Sequence, residues 1–261
     1  MLEELITVLK EVGNLLLNWR NAGLREGVWH EGQFKAKADA MAHNALQGLL
    51  QDSWPRIPVI SEENPASLVA ERPDPYWLID PIDGTASFVN GFNGFVTQAA
   101  LMMNAQPVIS VIYAPVTNDT YHAELGKGAY LNEKKLSVPL ERLSAILIDN
   151  SPEPQGLTSE AYKALHCKKY VECGSISLKI CKIADGTANI FIKPVRMYDW
   201  DLAAPHLVIR EAGGILRDIF GEHISYQDGY HHPGIIAAAE EMTFTKALSW
   251  YTKFMKAGGT T

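Results

Sequence analysis

The feature that most constrains the fold is the stretch 95–136, in which short apolar segments alternate with turn-forming residues. The interruptions fall at 104–107, 115–118 and 126–128, and they contain Asn, Pro and Gly, which favour tight turns. Strand-length apolar segments joined by such short connections are typical of consecutive antiparallel strands. This part of the chain is therefore predicted to form an antiparallel meander.

The segments around the meander mix helical and strand periodicity. Apolar residues recur at helical spacing over residues 1–20, and the pattern fades at 21–23. Further helices are predicted at 38–50, 177–184, 201–212 and 242–255, and further strands at 58–61, 76–79, 145–148, 188–192, 215–219 and 235–238. The expected buried stripe of the helix at 38–50 is Met41, Ala42, Leu46 and Leu49. The pattern predicts a layered α/β (α+β) chain with much antiparallel sheet.

Composition narrows the possible partners. The 261 residues carry a formal net charge of −7, and nucleic-acid backbones select clustered Lys and Arg, so nucleic acid is not expected as the main partner. An acidic chain can still act on a phosphorylated molecule if metal cations supply positive charge locally. No apolar run approaches the roughly 18 residues that span a bilayer, and no repeat or linker divides the chain.

The N-terminus and the cysteines favour the cytoplasm. Glutamates interrupt the first apolar pattern, unlike the basic and then continuously apolar regions of a secretory signal peptide. Cys167, Cys173 and Cys181 cannot all pair, and their spacing matches no zinc pattern. We therefore expect reduced core or helix cysteines, a cytoplasmic protein and no membrane association.

The chemically informative segment follows the predicted strand at 76–79 and reads Asp-Pro-Ile-Asp-Gly-Thr. The strand is expected to end at Asp80, after which Pro81 fixes the backbone and Gly84 permits an unusual backbone angle. Asp80 and Asp83 lie three residues apart, so on a tight turn both carboxylates can face the same volume. Ile82 between them can offer a backbone carbonyl as a third oxygen.

Such a set of oxygens matches what Mg²⁺ requires, with water completing an octahedral shell. The backbone N–H groups of Gly84 and Thr85 are candidates for binding a phosphate oxygen. The alternative is a purely structural turn, because Asp-Pro and Asp-Gly pairs often do no more than cap turns. The complete hexapeptide after an apolar strand is far less common and favours the metal interpretation.

Two other carboxylate motifs do not fit this segment. A calcium-binding EF-hand loop needs acidic or Asn residues at alternate positions, but residue 82 is Ile. Phosphatases with an aspartyl nucleophile show two Asp separated by one residue, and Pro81 occupies the place where the first Asp would be needed. The segment therefore favours direct attack by a metal-activated water over a covalent phosphoenzyme.

Other acidic residues have two interpretations each. Considered alone, Glu62 and Glu63 form a solvated loop pair, and Asp201 is a helix N-cap. If the fold gathers these residues with Asp80 and Asp83, the carboxylates repel one another and stay ionised together only beside cations. Convergence in space would therefore indicate a metal site.

Taken together, these motifs resemble those of the inositol monophosphatase family of metal-dependent phosphatases. Its first signature is similar to residues 80–85, its second, W-D-x-A-A, to residues 200–204, and its preceding acidic pair to Ser61-Glu62-Glu63. Residues 126–132 and 211–214 also look similar to the family. The resemblance spans roughly residues 35 to 240.

The resemblance implies a fold, a cofactor and a set of roles. The fold is a layered αβαβα sandwich of the sugar-phosphatase type, as one domain over 1–261 with an N-terminal lobe at about 1–143 and a C-terminal lobe at about 144–261. The implied reaction is Mg²⁺-dependent, lithium-sensitive hydrolysis of a small phosphorylated metabolite by a homodimer. The implied metal ligands are Glu62, Asp80, Asp83, Asp201 and the carbonyl of Ile82. Thr85, with Asp39 or Glu63, would orient the attacking water.

The chain departs from the family pattern at several positions. Ala36 stands where the family often has Thr three residues before the early-helix Asp, and Pro205-His206 follow the second signature where Gly is common. Pro205 is expected in the first turn of its helix, where proline is tolerated. The family also has a lysine upstream of the early-helix Asp. Lys35 and Lys37 are the candidates for it, and the alternative is that both are ordinary surface lysines.

The segment 174–179 bears on the substrate. Its Ser-Leu-Lys ending is similar to the family branch that removes the 3′-phosphate from 3′(2′),5′-bisphosphorylated adenosine, which makes Gly174, Ser175 and Lys179 candidates for substrate binding. Lys179 would then pair with a second phosphate, or it is an exposed helix lysine. His231 and His232 are expected at the surface.

Four functions remain open at this point. The leading one is a phosphatase of an inositol monophosphate-like metabolite, and the alternatives are a 3′(2′),5′-bisphosphate nucleotidase and a fructose bisphosphate phosphatase. The fourth, from another class, is a binding or regulatory protein, for example of RNA or transcription factors, that keeps the fold. The acidic charge and the intact ligand set count against this last one.

Overall fold

The computed structural model describes residues 1–30, 33–69, 71–139 and 145–259, with the side chains of residues 28–36 left aside. The helices are α1 Leu2–Asn21, α2 Lys37–Ser53, α3 Thr85–Asn90, α4 Gly156–Ala164, α5 Ile176–Ala184, α6 Asp199–Glu211 and α7 Glu241–Lys256, with a 3₁₀ turn at Pro65–Ser67. The strands are β1 Gly27–His30, β2 Gln33–Ala36, β3 Val59–Ser61, β4 Tyr76–Asp83, β5 Val96–Met103, β6 Gln106–Ala114, β7 Asp119–Glu124, β8 Gly128–Leu131, β9 Lys134–Lys135, β10 Ile146–Asp149, β11 Lys169–Glu172, β12 Ile190–Lys193, β13 Met197–Tyr198, β14 Ile215–Asp218, β15 His231–His232 and β16 Ile235–Ala238. Within these ranges, no helix is both long and apolar enough to cross a membrane.

The larger sheet has the strand order β3-β4-β5-β6-β7-β8-β9. Strand β3 runs parallel to β4, and every later neighbour in this sheet is antiparallel. The antiparallel meander predicted for residues 95–136 is therefore confirmed. The second sheet has the order β11-β10-β12-β16-β14 and mixes parallel and antiparallel pairs.

The buried side chains show how the layers stack. Alternate residues of β4 face opposite sides, because side chains alternate along a strand. Trp77 and Ile79 pack with α1 and α2, whereas Tyr76 and Leu78 belong to the cluster that contains α5, α6 and one face of the second sheet. Helices α4 and α7 cover the other face of the second sheet. The predicted layered αβαβα sandwich is confirmed.

The buried face of α2 differs from the predicted stripe. Ala42 and Leu46 are buried as expected, but Met41 and Leu49 are only half-buried. His43 and Leu50 take the buried positions. A buried His43 is tolerated because its Nδ1 lies 2.9 Å from the hydroxyl of Ser61 on β3.

Strand β4 continues past Asp80, where it was predicted to end, to Asp83. Its register against β5 shifts between Asp80 and Asp83, which pair with Gln98 and Val96, so β4 carries one extra residue there. A bulge accommodates Pro81, which has no N–H for the ladder. In a regular strand, residues three apart face opposite sides, and the extra residue brings both carboxylates to one side.

Helix α6 begins at Asp199, earlier than predicted, with Tyr198 as its N-cap. Pro205 is therefore the seventh residue of the helix rather than part of its first turn, and that prediction was wrong. Asp201 is the third residue of the helix, so the alternative N-cap interpretation is also wrong. The C-terminal end agrees with the sequence, since Gly213 follows with a φ of 89°.

Candidate active site

Asp80 is the centre of the acidic residues that the fold gathers. Its side chain is buried, and its pKa is raised well above the ordinary value. The largest cause is burial, followed by repulsion from Glu62, Asp83, Asp201 and Asp39. Residues that are far apart in sequence therefore lie within electrostatic range of one carboxylate, which is the convergence that the sequence left open.

Asp201 approaches the same volume from the first turn of α6. Its Oδ2 accepts a hydrogen bond of 2.7 Å from the backbone N–H of Tyr198, which fixes the carboxylate at the start of the helix. Burial, followed by repulsion from Asp83, raises its pKa to about 7. The carboxylates of Asp80 and Asp201 are thus easier to protonate than those of free aspartates, because they are shielded from water and lie beside other negative charges.

Asp83 is held by the first turn of α5. Its Oδ2 accepts hydrogen bonds from the Ser175 hydroxyl at 2.6 Å and from the Ser177 N–H at 2.7 Å, and its Oδ1 accepts one from the Ile176 N–H at 3.2 Å. Ser175 is the N-cap of α5, and its Oγ also accepts from the N–H of Leu178. The carboxylate therefore satisfies unpaired donors at the start of this helix, where negative charge is favoured.

Thr85 stands between two acceptors. Its Oγ1 lies 3.1 Å from Asp39 Oδ1 and 3.1 Å from the carbonyl oxygen of Ile82. Of the two carboxylates that the resemblance offered as its partner, the one bonded to Thr85 is Asp39. Gly84 precedes it with a φ of 91°, and a side chain at this position would meet the carbonyl oxygen of Gly94 at 2.8 Å. The expected unusual backbone angle is confirmed.

Glu62 and Glu63 lie in a turn that is fixed by hydroxyl groups. Ser67 Oγ accepts from the N–H of Ser61 at 3.1 Å and donates to Asn64 O at 2.6 Å. Ser61 Oγ accepts from the N–H of Glu63 at 3.3 Å. Glu62 contributes to the raised pKa of Asp80, whereas Glu63 acts on His43, whose pKa is lowered by burial. Glu62 therefore lies within electrostatic range of Asp80, and Glu63 lies within electrostatic range of His43 on α2.

The predicted substrate segment is packed tightly against the loop after α3. A Cβ on Gly174 would lie 2.0 Å from Ser87 Oγ and 2.7 Å from Gly94 O, so only glycine fits there. Ser175 is fully buried, with its hydroxyl engaged by Asp83. These contacts bring the start of α5 against the end of β4.

Lys179 differs from one of its two sequence interpretations. Its side chain is 0% exposed, with Nζ bonded to Asn150 Oδ1 and 3.1 Å from Gly174 O. The ammonium lies 5.3 Å from the ring centroid of Phe191, and burial lowers its pKa to about 8. The exposed-lysine interpretation is wrong. Its assignment to a second phosphate stays a prediction, and in this structure the ammonium is bound by protein oxygens instead.

A buried ionic network beside α6 was not predicted. Asp199 is 0% exposed and lies 2.7 Å from both Arg72 Nη1 and His232 Nε2. The guanidinium also stacks on Tyr230, with its Cζ 4.0 Å from the ring centroid. His232, expected at the surface, is therefore buried, although His231 is exposed. In the sequence, the only signal for this network was Asp199, which directly precedes the second signature.

The remaining residues named from the sequence lie in different settings. Cys167, Cys173 and Cys181 are buried and free. Lys37 is exposed at the start of α2, whereas the side chains of Lys35 and Ala36 lie outside the described residues. His206 is partly buried, and its Nδ1 lies 3.0 Å from the hydroxyl of Tyr226.

The donors of the acidic cluster fit a hard divalent cation, although they do not form a closed cage. In the described ranges, no group of three or more His, Cys, Asp or Glu side chains is arranged as a ready-made metal site. Mg²⁺ suits an open arrangement, because it keeps several waters and commonly takes only one or two carboxylates. The raised pKa of Asp80 also marks a group whose ionised form a cation would stabilise.

Known proteins resemble this chain along most of its length. The model of the inositol monophosphatase family matches residues 2–252. A 3′(2′),5′-bisphosphate nucleotidase CysQ of Aggregatibacter actinomycetemcomitans is 28% identical over 96% of this chain and 95% of its own. A Nus factor SuhB of Vibrio cholerae is 32% identical over 75% of this chain and 76% of its own. The solved structure of a Thermotoga maritima IMPase has a TM-score of 0.83 at 24% identity and covers 97% of both chains.

The family model covers nearly the whole chain, and the fold agrees with that of the solved structure. The signature residues also lie around one buried aspartate rather than on separate faces. On these grounds, the chain belongs to the inositol monophosphatase family.

Proposed function

We propose that this phosphatase of the inositol monophosphatase superfamily is a Mg²⁺-dependent phosphomonoesterase that acts on a small phosphorylated metabolite. The observation that carries the proposal is the setting of Asp80, buried among four other acidic residues that raise its pKa. Such a cluster of carboxylates is unfavourable without cations, because the negative charges repel one another. A bound cation would therefore stabilise it.

The ligands proposed for Mg²⁺ are the carboxylates of Glu62, Asp80, Asp83 and Asp201 and the carbonyl oxygen of Ile82. When bound, Mg²⁺ supplies Lewis-acid polarisation of the phosphoryl oxygens and lowers the pKa of water. The protein's part is to fix the ligands. The bulge in β4 brings Asp80 and Asp83 to one side, and the first turn of α6 holds Asp201.

Thr85 and Asp39 are proposed to position the attacking water. The Thr85 hydroxyl can donate to Asp39 Oδ1 while its oxygen accepts a hydrogen bond from a water molecule, which aims a lone pair of that water at phosphorus. Asp39 is buried, so a proton passed to its carboxylate through Thr85 would be shielded from bulk water. Glu63 is the second candidate for this role.

The phosphoryl group is proposed to bind at the backbone N–H groups of Gly84 and Thr85, with Gly174 and Ser175 beside them. The absence of a side chain at Gly84 and Gly174 lets the two loops approach each other closely.

We also keep the single domain with two lobes, the homodimer, the lithium sensitivity and the cytoplasmic location as predictions from the resemblance. The proposed lobe boundary falls within residues 140–144, which lie outside the described ranges.

The resemblance to CysQ favours a second candidate substrate, a 3′(2′),5′-bisphosphorylated adenosine nucleotide. The resemblance to SuhB, whose name describes a Nus factor, favours a binding role as the rival from another class. Fructose 1,6-bisphosphate remains the third substrate to test.

Phosphate release by the purified protein separates these candidates. It would be measured with inositol 1-phosphate, 3′,5′-bisphosphorylated adenosine and fructose 1,6-bisphosphate, first in EDTA and then with Mg²⁺. We expect release only with Mg²⁺, and the highest kcat/KM identifies the substrate class. Equal release in EDTA would contradict the metal dependence, and no release from any substrate would favour the binding role.

A further inference from the structure

Helix α6 lacks one internal hydrogen bond beside the acidic cluster. Pro205 has no N–H, so it cannot donate to the carbonyl oxygen of Asp201, four residues earlier. Its ring also clashes with a carbonyl placed regularly at that position. The Asp201 carbonyl therefore needs a donor from outside α6, because a buried carbonyl without a partner is costly.

Ser177 on α5 supplies that donor. Its Oγ lies 3.1 Å from the carbonyl oxygen of Asp201 and donates to it. The backbone N–H of the same residue donates to Asp83 Oδ2 at 2.7 Å. Ser177 is fully buried, whereas Asp201 is only half-buried, so the bond to Asp83 is the better shielded of the two. One residue thus connects the two parts of the chain that supply Asp83 and Asp201.

We propose that Ser177 is a positioning residue that sets the separation of Asp83 and Asp201, and that Pro205 makes this possible by leaving the Asp201 carbonyl to the Ser177 hydroxyl. The inference rests on the proposed function, since the separation matters to the reaction only if both carboxylates hold Mg²⁺. Ser177 touches no reacting atom and acts through the peptide of Asp201.

The geometry explains why the connection affects the carboxylate. The side chain of Asp201 is already fixed to the first turn of α6 through the N–H of Tyr198. Moving that turn therefore moves the carboxylate. Gln98 on β5 donates to the next carbonyl toward the N-terminus, that of Trp200, at 2.8 Å, so this turn is tied to both α5 and the larger sheet.

The Ser177 hydroxyl has two effects that a test can separate. It gives the Asp201 carbonyl a hydrogen-bond donor, and it connects α5 to α6. Ser177→Ala removes the donor, and Pro205→Ala supplies a helical N–H to the same carbonyl without restoring the connection to α5. The combined variant S177A/P205A should therefore regain thermal stability but not cation affinity. The readouts are the unfolding temperature in EDTA, Mn²⁺ binding by calorimetry, and the Mg²⁺ concentration that gives half-maximal phosphate release.

We expect S177A to lower the unfolding temperature and to raise both the Mn²⁺ Kd and the half-activating Mg²⁺ concentration by about tenfold, as for loss of one buried hydrogen bond. In the combined variant, the unfolding temperature should return toward that of P205A while the tenfold change in cation response persists. The control is Ser110→Ala, because Ser110 is buried on β6 and its hydroxyl makes no hydrogen bond within the described residues. S110A should leave the cation response unchanged.

Two results would overturn the inference. One is an S177A protein with wild-type Mn²⁺ affinity, and the other is a combined variant in which stability and cation affinity recover together, which would make Ser177 purely structural. Failure of the proposed function is recognised separately, as a wild-type protein that releases no phosphate with Mg²⁺. Mn²⁺ binding needs no turnover, so it tests the positioning role in either case.

Discussion

Asp80, Asp83 and Asp201 are chemically identical side chains in three different settings. Asp80 is surrounded by other carboxylates, Asp201 is fixed by one backbone N–H, and Asp83 accepts three hydrogen bonds from the start of α5. Removing the negative charge should therefore have a similar effect on catalysis at each position and a different effect on stability.

Asp201→Asn is expected to reduce turnover by more than the roughly 10- to 100-fold loss that is typical when a residue bonded to a metal ligand is mutated. The fold should remain, because the amide oxygen can still accept from the Tyr198 N–H, and a repulsive charge is lost. Phosphate release with Mg²⁺ and the unfolding temperature in EDTA check this prediction. Full activity in the variant would remove Asp201 from the proposed site.

Asp83→Asn is expected to lose turnover to the same degree and also to lose stability. An amide has one acceptor oxygen, and its NH₂ would face a donor of Ser175 or of the α5 backbone. The loss should be about 1–3 kcal/mol in the free energy of unfolding, measured with urea in EDTA. If the Asp83→Asn and Asp201→Asn proteins unfold at the same urea concentration, the helix-capping role of Asp83 is contradicted.

The contact between the start of α5 and the loop after α3 depends on glycine. Gly174→Ala would place a methyl carbon 2.0 Å from Ser87 Oγ and 2.7 Å from the backbone oxygen of Gly94, so the elements must separate. We expect a loss of about 1–3 kcal/mol in unfolding free energy, as for overpacking elsewhere. Urea unfolding at fixed temperature measures it.

Gly48 on α2 provides the matched control. A Cβ there meets no atom within 4 Å, so Gly48→Ala should gain up to about 1 kcal/mol from helix propensity. A neutral Gly174→Ala variant would show that the loops have room to part, and it would contradict the close-approach argument.

The Arg72–Asp199–His232 network joins α6, β15 and the segment before β4. Arg72→Met leaves the Asp199 carboxylate buried without its strongest partner, and such losses typically cost about 3–5 kcal/mol. The control is Lys163→Met, because Lys163 pairs with Glu160 on the exposed side of α4 and should change stability by less than about 0.5 kcal/mol. Equal unfolding temperatures for the two variants would mean that the buried network contributes no more than a surface ion pair.

For the whole molecule, the acidic cluster predicts a particular dependence of stability on pH. The pKa of Asp201 is about 7 in the folded protein and 3.8 when free, so the folded state holds the proton more tightly. The contribution of Asp201 to stability is therefore present below about pH 4 and is lost as pH rises through about 7, at about 1.4 kcal/mol per pKa unit. Burial lowers the pKa of His206 to about 3, which acts in the opposite direction.

Comparing the wild type with Asp201→Asn isolates this effect, since both proteins keep His206. In EDTA, the variant should become progressively more stable than the wild type as pH rises from 4 to 7. Saturating Mg²⁺ should cancel this trend by stabilising the ionised wild-type cluster. A difference in unfolding temperature that stays constant with pH would show that Asp201 is not strained in the metal-free protein.

The parts of the molecule whose signals are local were predicted correctly from the sequence. The meander, α1, α7 and the signature at residues 80–85 each follow from periodicity or from contiguous residues. Helices α3 and α4, which are short, and the β1–β2 pair were not predicted. The continuation of β4 through Pro81 was missed because it requires a bulge, and a bulge depends on the register of the neighbouring strand.

Contacts between distant segments account for the other differences. Lys179 is buried because Asn150 and the carbonyl of Gly174 satisfy its ammonium, and His232 is buried because Asp199 does the same for its ring. Neither partner is recognisable from spacing alone. The gathering of Glu62, Asp80 and Asp201 is also non-local, and in the sequence only the family resemblance pointed to it.

The most direct test of the account is the binding of Mn²⁺, as a probe for Mg²⁺, to metal-free wild-type protein and to Asp80→Asn, followed by calorimetry. Asp80 is the residue on which the other acidic groups act, so its amide form should bind Mn²⁺ at least about tenfold more weakly, and Mg²⁺ should compete for the wild-type site. Equal Mn²⁺ affinity in the two proteins would contradict the claim that this cluster holds the catalytic cation.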